Sequence, residues 1–330
     1  MADIALAENY PNRTRAQTMR RAGRGDDRFR ILTLGSALTV VVIFLGVLIA
    51  LLRGSWPSIH AFGFSFLWTQ KWNPVTERFG ALASIYGTVL TAALAMLIAV
   101  PVGIGIAIFL TELCPRQLKR PFGIAIELLA GIPSIIYGIW GLFVLAPALQ
   151  GSIQPWLIKL FGNIPVLQNI FAGPPYGIGI FTAALILSIM VLPFISAITR
   201  DVFEAVPVIL KEAAYGLGCT TWEVVWRVVL PYSRTGVVGG GMLALGRALG
   251  ETMAVTFVIG NAHHINPSLF APGTTIAATI ANEFTEADGG LYLSAQIELG
   301  LILFFLTFLV LALAQWMLRS LEARAGGART

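Results

Sequence analysis

Six stretches of this chain are apolar for long enough to cross a lipid bilayer, and no other feature limits its fold so severely. They run over residues 31–52, 82–110, 122–149, 176–199, 235–259 and 292–318. A helix spans the hydrocarbon core with about 20 residues, and there every peptide group must be satisfied within the protein, as a helix does for itself. Charge is scarce to match. Asp, Glu, Lys and Arg make up 12% of the residues, against about 25% in soluble domains, too few to cover a water-facing surface. The expectation is an all-α integral membrane protein of six transmembrane helices. The first span starts too far from Met1, runs too long and lacks a small-residue exit, so it reads as a retained anchor, not a cleaved signal.

The basic residues give an orientation. Seven arginines (13, 15, 20, 21, 24, 28 and 30) precede the first span. Arg116, Lys119 and Arg120 follow the second, Arg200, Lys211, Arg227 and Arg234 follow the fourth, and Arg319, Arg324 and Arg329 close the chain. The alternate loops hold Arg53, Lys71, Arg78 and Lys159, and 260–291 has no Lys or Arg at all. By the positive-inside rule both termini and the 200–234 loop are expected in the cytoplasm. The net charge of +5 is thereby assigned to membrane orientation, and no nucleic acid is expected as a partner. The expected order is a basic tail (1–30), an anchor (31–52), a periplasmic loop (53–81), a core (82–318) and a second tail (319–330).

The outer loops offer little chemistry. Trp56, Trp68 and Trp72 are placed as interfacial anchors. Phe62, Phe64, Phe66 and Trp68 alternate with period two, as in a short strand or an extended strip. Residues 274–284 read as a short amphipathic helix where an external partner could touch. Cys114 and Cys219 have neither CxxC nor His spacing around them, so neither a disulfide framework nor a zinc site is indicated.

The 212–231 insert, EAAYGLGCTTWEVVWRVVLP, lies between two very apolar spans without being apolar itself. It has the composition of a helix–turn–helix, with Gly216 and Gly218 in the turn. Trp222, Val225, Trp226 and Val229 recur at helical spacing, giving one apolar, aromatic face, and Pro231 is expected to end the second helix. Such an element either folds back on the bundle or inserts into a groove of a soluble partner.

Here the chain resembles the ABC importer permeases that carry an EAA loop. The family pattern is EAA, three residues, Gly, nine residues, an aliphatic, one residue, then Leu-Pro. Glu212, Ala213, Ala214, Gly218, Val228, Leu230 and Pro231 meet it, with Val228 where Ile is usual. Pro133, Ser134 and Gly138, within GIPSIIYG, are a second point of similarity. Residues 55–59, 119–143, 219–231 and 246–255 (GRALGETMAV) narrow the resemblance to permease subunits of phosphate importers, over essentially Ser55 to Leu318. The resemblance implies an N-terminal anchor helix plus a five-helix type I importer (MetI-like) core. Its implied partners are a homologous permease (PstA), two copies of an ATPase subunit (PstB) and an external phosphate-binding protein (PstS). The loop would seat in a cleft of the ATPase, which uses ATP-Mg. This chain would itself be no enzyme and hold no cofactor.

Arg247 and Glu251 fall inside the fifth expected span, about 18 and 24 Å along it from Thr235. A central Arg costs about 2.5–3.5 kcal/mol on insertion scales, so neither should face lipid. At i, i+4 they could pair with each other and hold the bundle. Alternatively they line a hydrated path in which the guanidinium meets an oxyanion. Gly236/Gly240 and Gly246/Gly250 are small-xxx-small pairs that let helices approach closely. Glu127 and Glu298 are further acids within membrane limits, and Glu298 reads as hydrated near the outer end. No GxxxxGK[ST] or HExxH occurs, and His60, His263 and His264 all lie in outer loops, so neither a P-loop nor a metal site is indicated. A permease for sulfate or molybdate, an ATP-independent secondary transporter and a non-transporting scaffold remain as alternatives.

Overall fold

The computed structural model describes residues 13–326. The ends of both expected tails, 1–12 and 327–330 with Arg329, lie outside the described residues. The chain divides into two compact units, Met1–Arg53 and Gly54–Thr330. Among the described residues there are helices and turns only, apart from an isolated bridge between Asn73 and Arg78.

Helix α1 (Arg13–Phe62) precedes one helical turn, α2 (Ser65–Trp68), and then α3 (Leu82–Ile108), which ends in a wide π-type turn at Phe109–Leu113. Next come α4 (Arg116–Ala130), α5 (Ser134–Trp140), α6 (Ala146–Ala148), α7 (Gln154–Phe161) and α8 (Pro165–Ile170). Long α9 (Ile180–Glu204) leads to α10 (Val208–Gly216) and α11 (Thr221–Val224). Helices α12 (Leu230–Leu249), α13 (Met253–Thr256), α14 (Ile276–Glu283) and α15 (Gly290–Gly326) complete the order.

In the first unit the apolar side chains of α1 are exposed from Phe29 onward, as lipid-facing residues are. Its hydroxyls turn back on the helix: Thr33 donates to Phe29 O, Ser36 to Leu32 O and Thr39 to Gly35 O. This removes polar groups from the apolar surface.

Among the described residues, five segments are long and apolar enough to cross a membrane: Phe29–Phe62, Leu82–Leu113, Ser134–Phe161, Ile180–Glu204 and Gly290–Arg319. Two expected spans are corrected. The third does not run over 122–149, because the chain breaks at Gly131–Pro133 and the crossing segment starts at Ser134. Proline disfavours helical backbone at the residue before it, so α4 stands apart as a separate amphipathic helix. The fifth does not run over 235–259, because α12 stops at Leu249 and Gly250 follows at the break. With Arg234, Arg247 and six glycines from Gly236 to Gly250, this segment is not among the five.

The period-two aromatic strip is no strand. Gly63 takes φ +54 and stops α1, after which α2 forms one turn. Phe62 stacks on buried Phe66 with centroids 6.1 Å apart, while Phe64 and Trp68 are exposed. Alternation thus resolves into two i, i+4 pairs, one inward and one outward. The helix expected over 274–284 is α14, capped by the Thr275 hydroxyl accepting from Ala278 N at 3.1 Å. Its first half, however, is buried.

The core of the second unit is α3 against α9, with α12 beside both. Ala92, Ala95 and Ala99 meet Ala183, Leu187 and Val191, and Ala244 and Ala248 close the cluster. Small side chains permit this close approach. The glycine pairs of α12 divide. A Cβ on Gly236 or Gly240 would lie 2.5 Å from Val202 Cγ1 or 2.6 Å from Ile198 Cγ2, so both press on α9. Gly239 and Gly241 would meet nothing within 4 Å. Glu298, expected to be hydrated, is 6% exposed, and its Oε2 lacks a hydrogen-bond partner among the described residues.

Candidate functional site

The helix–turn–helix at one end of the bundle begins earlier than the sequence suggests, at Val208 directly after Pro207. Helix α10 ends at Gly216, and Gly218 takes φ +84, the left-handed region open to glycine at little cost. The turn is closed by Cys219 N donating to Ala214 O at 3.1 Å. Thr220 then caps α11: its hydroxyl accepts from Glu223 N, while its own N–H donates to Glu223 Oε2 at 2.9 Å. Bonds from the Thr220 backbone and hydroxyl hold the Glu223 carboxyl below its usual range.

The second helix does not end at Pro231. A π-type turn over Val225–Val229 runs into α12, and Pro231 sits in the first turn of that helix. Leu230 N bonds Val225 O, five residues back, and a widened turn accommodates the following proline, which lacks an N–H. The expected single apolar face is likewise split. Val224, Val225 and Val229 are buried, whereas Trp222 and Trp226 point outward with ring centroids 5.3 Å apart. The π-turn shifts the register, so the aromatic residues leave the face that the valines use.

Of the motif residues, Ala214 packs with Ala107, Phe203, Val206, Val224 and Val229 in a cluster beneath the element. Val228 and Leu230 pack at its edge, while Glu212, Ala213, Gly218 and Pro231 are exposed. Lys211, one residue before the motif, donates to Glu112 Oε1 at 2.5 Å, with side-chain exposures of 17% and 7%. This pair joins α10 to the end of α3. In the sequence Lys211 reads only as one of the orienting charges. The partners lie 99 residues apart, and no local pattern announces the contact. Facing away from the bundle, Val208, Ile209, Leu217, Trp222 and Trp226 are exposed, Leu217 at 86%.

Arg247 and Glu251 do not share a helical face. Arg247 is exposed in the last turn of α12, whereas half-buried Glu251 lies beyond the break and accepts from Ala254 N at 3.4 Å, ahead of α13. Among the described residues no ion pair joins them or gives Arg247 a carboxylate. Helix α13 packs on α5 at Gly138, where a Cβ would lie 2.7 Å from Phe257 Cδ2. The GIPSIIYG segment is thereby placed against the chain that follows Arg247.

Elsewhere in the unit, Glu283 accepts from Trp72 Nε1 at 2.6 Å, Tyr292 Oη at 2.7 Å and His263 Nε2 at 2.9 Å. Burial pushes this carboxyl up, but the three bonds outweigh it and hold it below its usual range. Trp72, expected as an anchor, stacks on His263 at 5.4 Å. Among the described residues no group of three or more His, Cys, Asp and Glu is placed to hold a metal.

Residues 99–326 match the model of the family described as "Binding-protein-dependent transport system inner membrane component". The chain is 66% identical over 313 residues to a "Phosphate transport system permease protein PstC" of Mesorhizobium japonicum, covering 95% of this chain and 96% of that one. It is 59% identical over 298 residues to the protein of the same name from Pasteurella multocida, covering 90% and 93%. In fold it is similar to a chain of a bacterial alginate ABC transporter crystallised with an alginate-bound periplasmic protein. That likeness has a TM-score of 0.59 at 16% identity, over 90% of this chain and 97% of the other.

Proposed function

Given that the chain belongs to the family of binding-protein-dependent transport system inner membrane components, we propose that it acts through a lever: α10 and α11 receive the stroke of an ATPase, and α12 carries the substrate path. The chain is a permease subunit of a phosphate ABC importer, supported by its 59–66% identity to phosphate permeases along nearly its whole length. It is a multi-pass membrane protein. Both termini and the 208–229 element face the cytoplasm, on the strength of the Lys and Arg distribution, and the 20-residue, glycine-rich α12 makes the sixth crossing beside the five more apolar segments. The partners are a homologous permease (PstA), two ATPase subunits (PstB) that hydrolyse ATP-Mg, and an external phosphate-binding protein (PstS). This chain performs no hydrolysis of its own.

ATP binding draws the ATPases together and pushes the docked element. The Lys211–Glu112 pair passes that push to α3, and the unbroken run from α11 through the π-turn passes it to α12. Rigid-body movement of the helices then re-aims the path. Arg247 stands at the end of α12 with no carboxylate paired to it among the described residues, which suits a guanidinium that meets phosphate oxygens transiently. Glu251, across the break, keeps the anion from settling there. The two flanks of α12 at Gly239 and Gly241, where an added Cβ would meet nothing within 4 Å, are turned to the second permease and to the path.

The observation that carries this reading is the exposed Leu217–Trp222–Trp226 patch on an element tied into the bundle by a buried ion pair. Leu217→Asp with Trp222→Asp tests it by purification of the assembled transporter. The ATPase subunit should be lost from the complex and ATP-driven phosphate uptake abolished. Retention of the ATPase with normal uptake would refute the docking role.

A further inference from the structure

Helix α4 carries a polar stripe at helical spacing: Arg116, Arg120, Gly123 and Glu127. Its other faces are apolar and exposed, with Leu118, Phe122, Ile124, Leu128 and Leu129 open to the surroundings. A helix of this kind lies along a membrane surface. The stripe faces the end of α9 across a cleft of about 390 Å³, lined by Arg116, Lys119, Arg120 and Arg200 with Glu127 and Glu204. Both acids are already engaged. Arg200 pairs with Glu127 at 2.9 Å, and Lys119 with Glu204 at 2.8 Å. Arg116 and Arg120 have no carboxylate within ion-pair distance among the described residues. Gly123 borders the cleft closely, since a Cβ there would lie 3.1 Å from Arg200 Nη1.

We propose that this cleft between α4 and the end of α9 is a binding site for a phosphate group, held by Arg116 and Arg120 and delivered on the headgroup of an anionic phospholipid. Two unpaired guanidinium groups one turn apart match phosphate oxygens in charge and geometry, and the apolar faces of α4 place them at headgroup depth. That the leaflet is the cytoplasmic one rests on the orientation proposed above, whereas the chemistry of the cleft does not. Free inorganic phosphate presents the same oxygens and is the other source of such a group.

The test uses the full-length chain in its assembled transporter, in nanodiscs of phosphatidylcholine with or without phosphatidylglycerol, with bound lipid counted by mass spectrometry after detergent exchange. The wild-type protein should retain phosphatidylglycerol. Arg116→Gln with Arg120→Gln should weaken that retention roughly thirtyfold, the effect of removing two cations from an anionic surface. Arg234→Gln with Arg319→Gln, which removes the same charge elsewhere, should leave it intact. Displacement of the lipid by inorganic phosphate in the wild-type protein but not in the double variant would support the site with the free anion as its ligand. Equal retention in the wild-type and Arg116/Arg120 proteins, or equal loss in the Arg234/Arg319 control, would overturn the proposal. None of these readouts depends on uptake, so they stand apart from the transport reading.

Discussion

Replacing Lys211 by Met removes the ion pair that joins α10 to the end of α3, and the cost can be worked from the geometry. The ammonium lies 2.5 Å from Glu112 Oε1, and the carboxylate side chain is only 7% exposed. Removing the cation leaves a buried charge uncompensated, which costs about 3–5 kcal/mol. Glu112→Leu alone strands the ammonium and should cost somewhat less, because Lys211 is 17% exposed and its flexible stem can reach water. The double variant replaces the pair by apolar groups of similar size and should fall within about 1 kcal/mol of wild type. A double-mutant cycle should then return a coupling of at least about 2 kcal/mol, read by denaturant unfolding of the purified protein in bicelles. Arg227→Met is the control. Its nitrogen lies 3.9 Å from Glu223 and its side chain is 74% exposed, so the loss should not exceed about 0.5 kcal/mol. Additive single effects at 112 and 211 would refute the pairing, and with it the connection between α10 and α3.

Three further outcomes are expected. Gly240→Ala, whose Cβ would meet Ile198 Cγ2 at 2.6 Å, should destabilise the protein by about 1–3 kcal/mol; Gly239→Ala, with open space around it, should stabilise α12 by about 1 kcal/mol, and thermal unfolding of the two separates them. The Glu283 carboxyl is held below its usual range, so its contribution is present above the ordinary carboxylate range and is lost as pH falls through its lowered value. Hydrogen exchange across Ile276–Glu283 should therefore quicken on acidification in the wild-type protein, and Glu283→Gln should remove that dependence. Arg247→Gln should lower phosphate uptake roughly tenfold or more, the loss of one bond to a charged group of about 1.5–3 kcal/mol, with assembly unchanged; uptake at the wild-type rate would remove Arg247 from the path.

The sequence revealed most where physics is one-dimensional. Apolar run length marked the membrane segments, and basic residue placement offered a sidedness. The EAA spacing marked the helix–turn–helix, where Gly218 takes the left-handed turn and Ala214 packs beneath the element. What stayed hidden depends on register and on distant neighbours. A π-turn ahead of Pro231 sends Trp222 and Trp226 outward although their spacing with Val225 and Val229 reads as one face. Gly250 ends α12 between Arg247 and Glu251, so an i, i+4 pair in the sequence is no pair in space. Gly131 and Pro133 divide a continuous apolar run into a short amphipathic helix and a segment long enough to cross. The Glu283 cluster and the Lys211–Glu112 bond join residues far apart in the chain, and no periodicity encodes them.

Phosphate accumulation by the assembled transporter in sealed vesicles, with ATP supplied only on the side bearing residues 208–229, addresses the central claim most directly. Accumulation should require ATP on that side and the ATPase subunit, and should vanish when Leu217 and Trp222 are both replaced by Asp. Accumulation that persists without ATP, or that proceeds unchanged in the altered protein, would contradict the account.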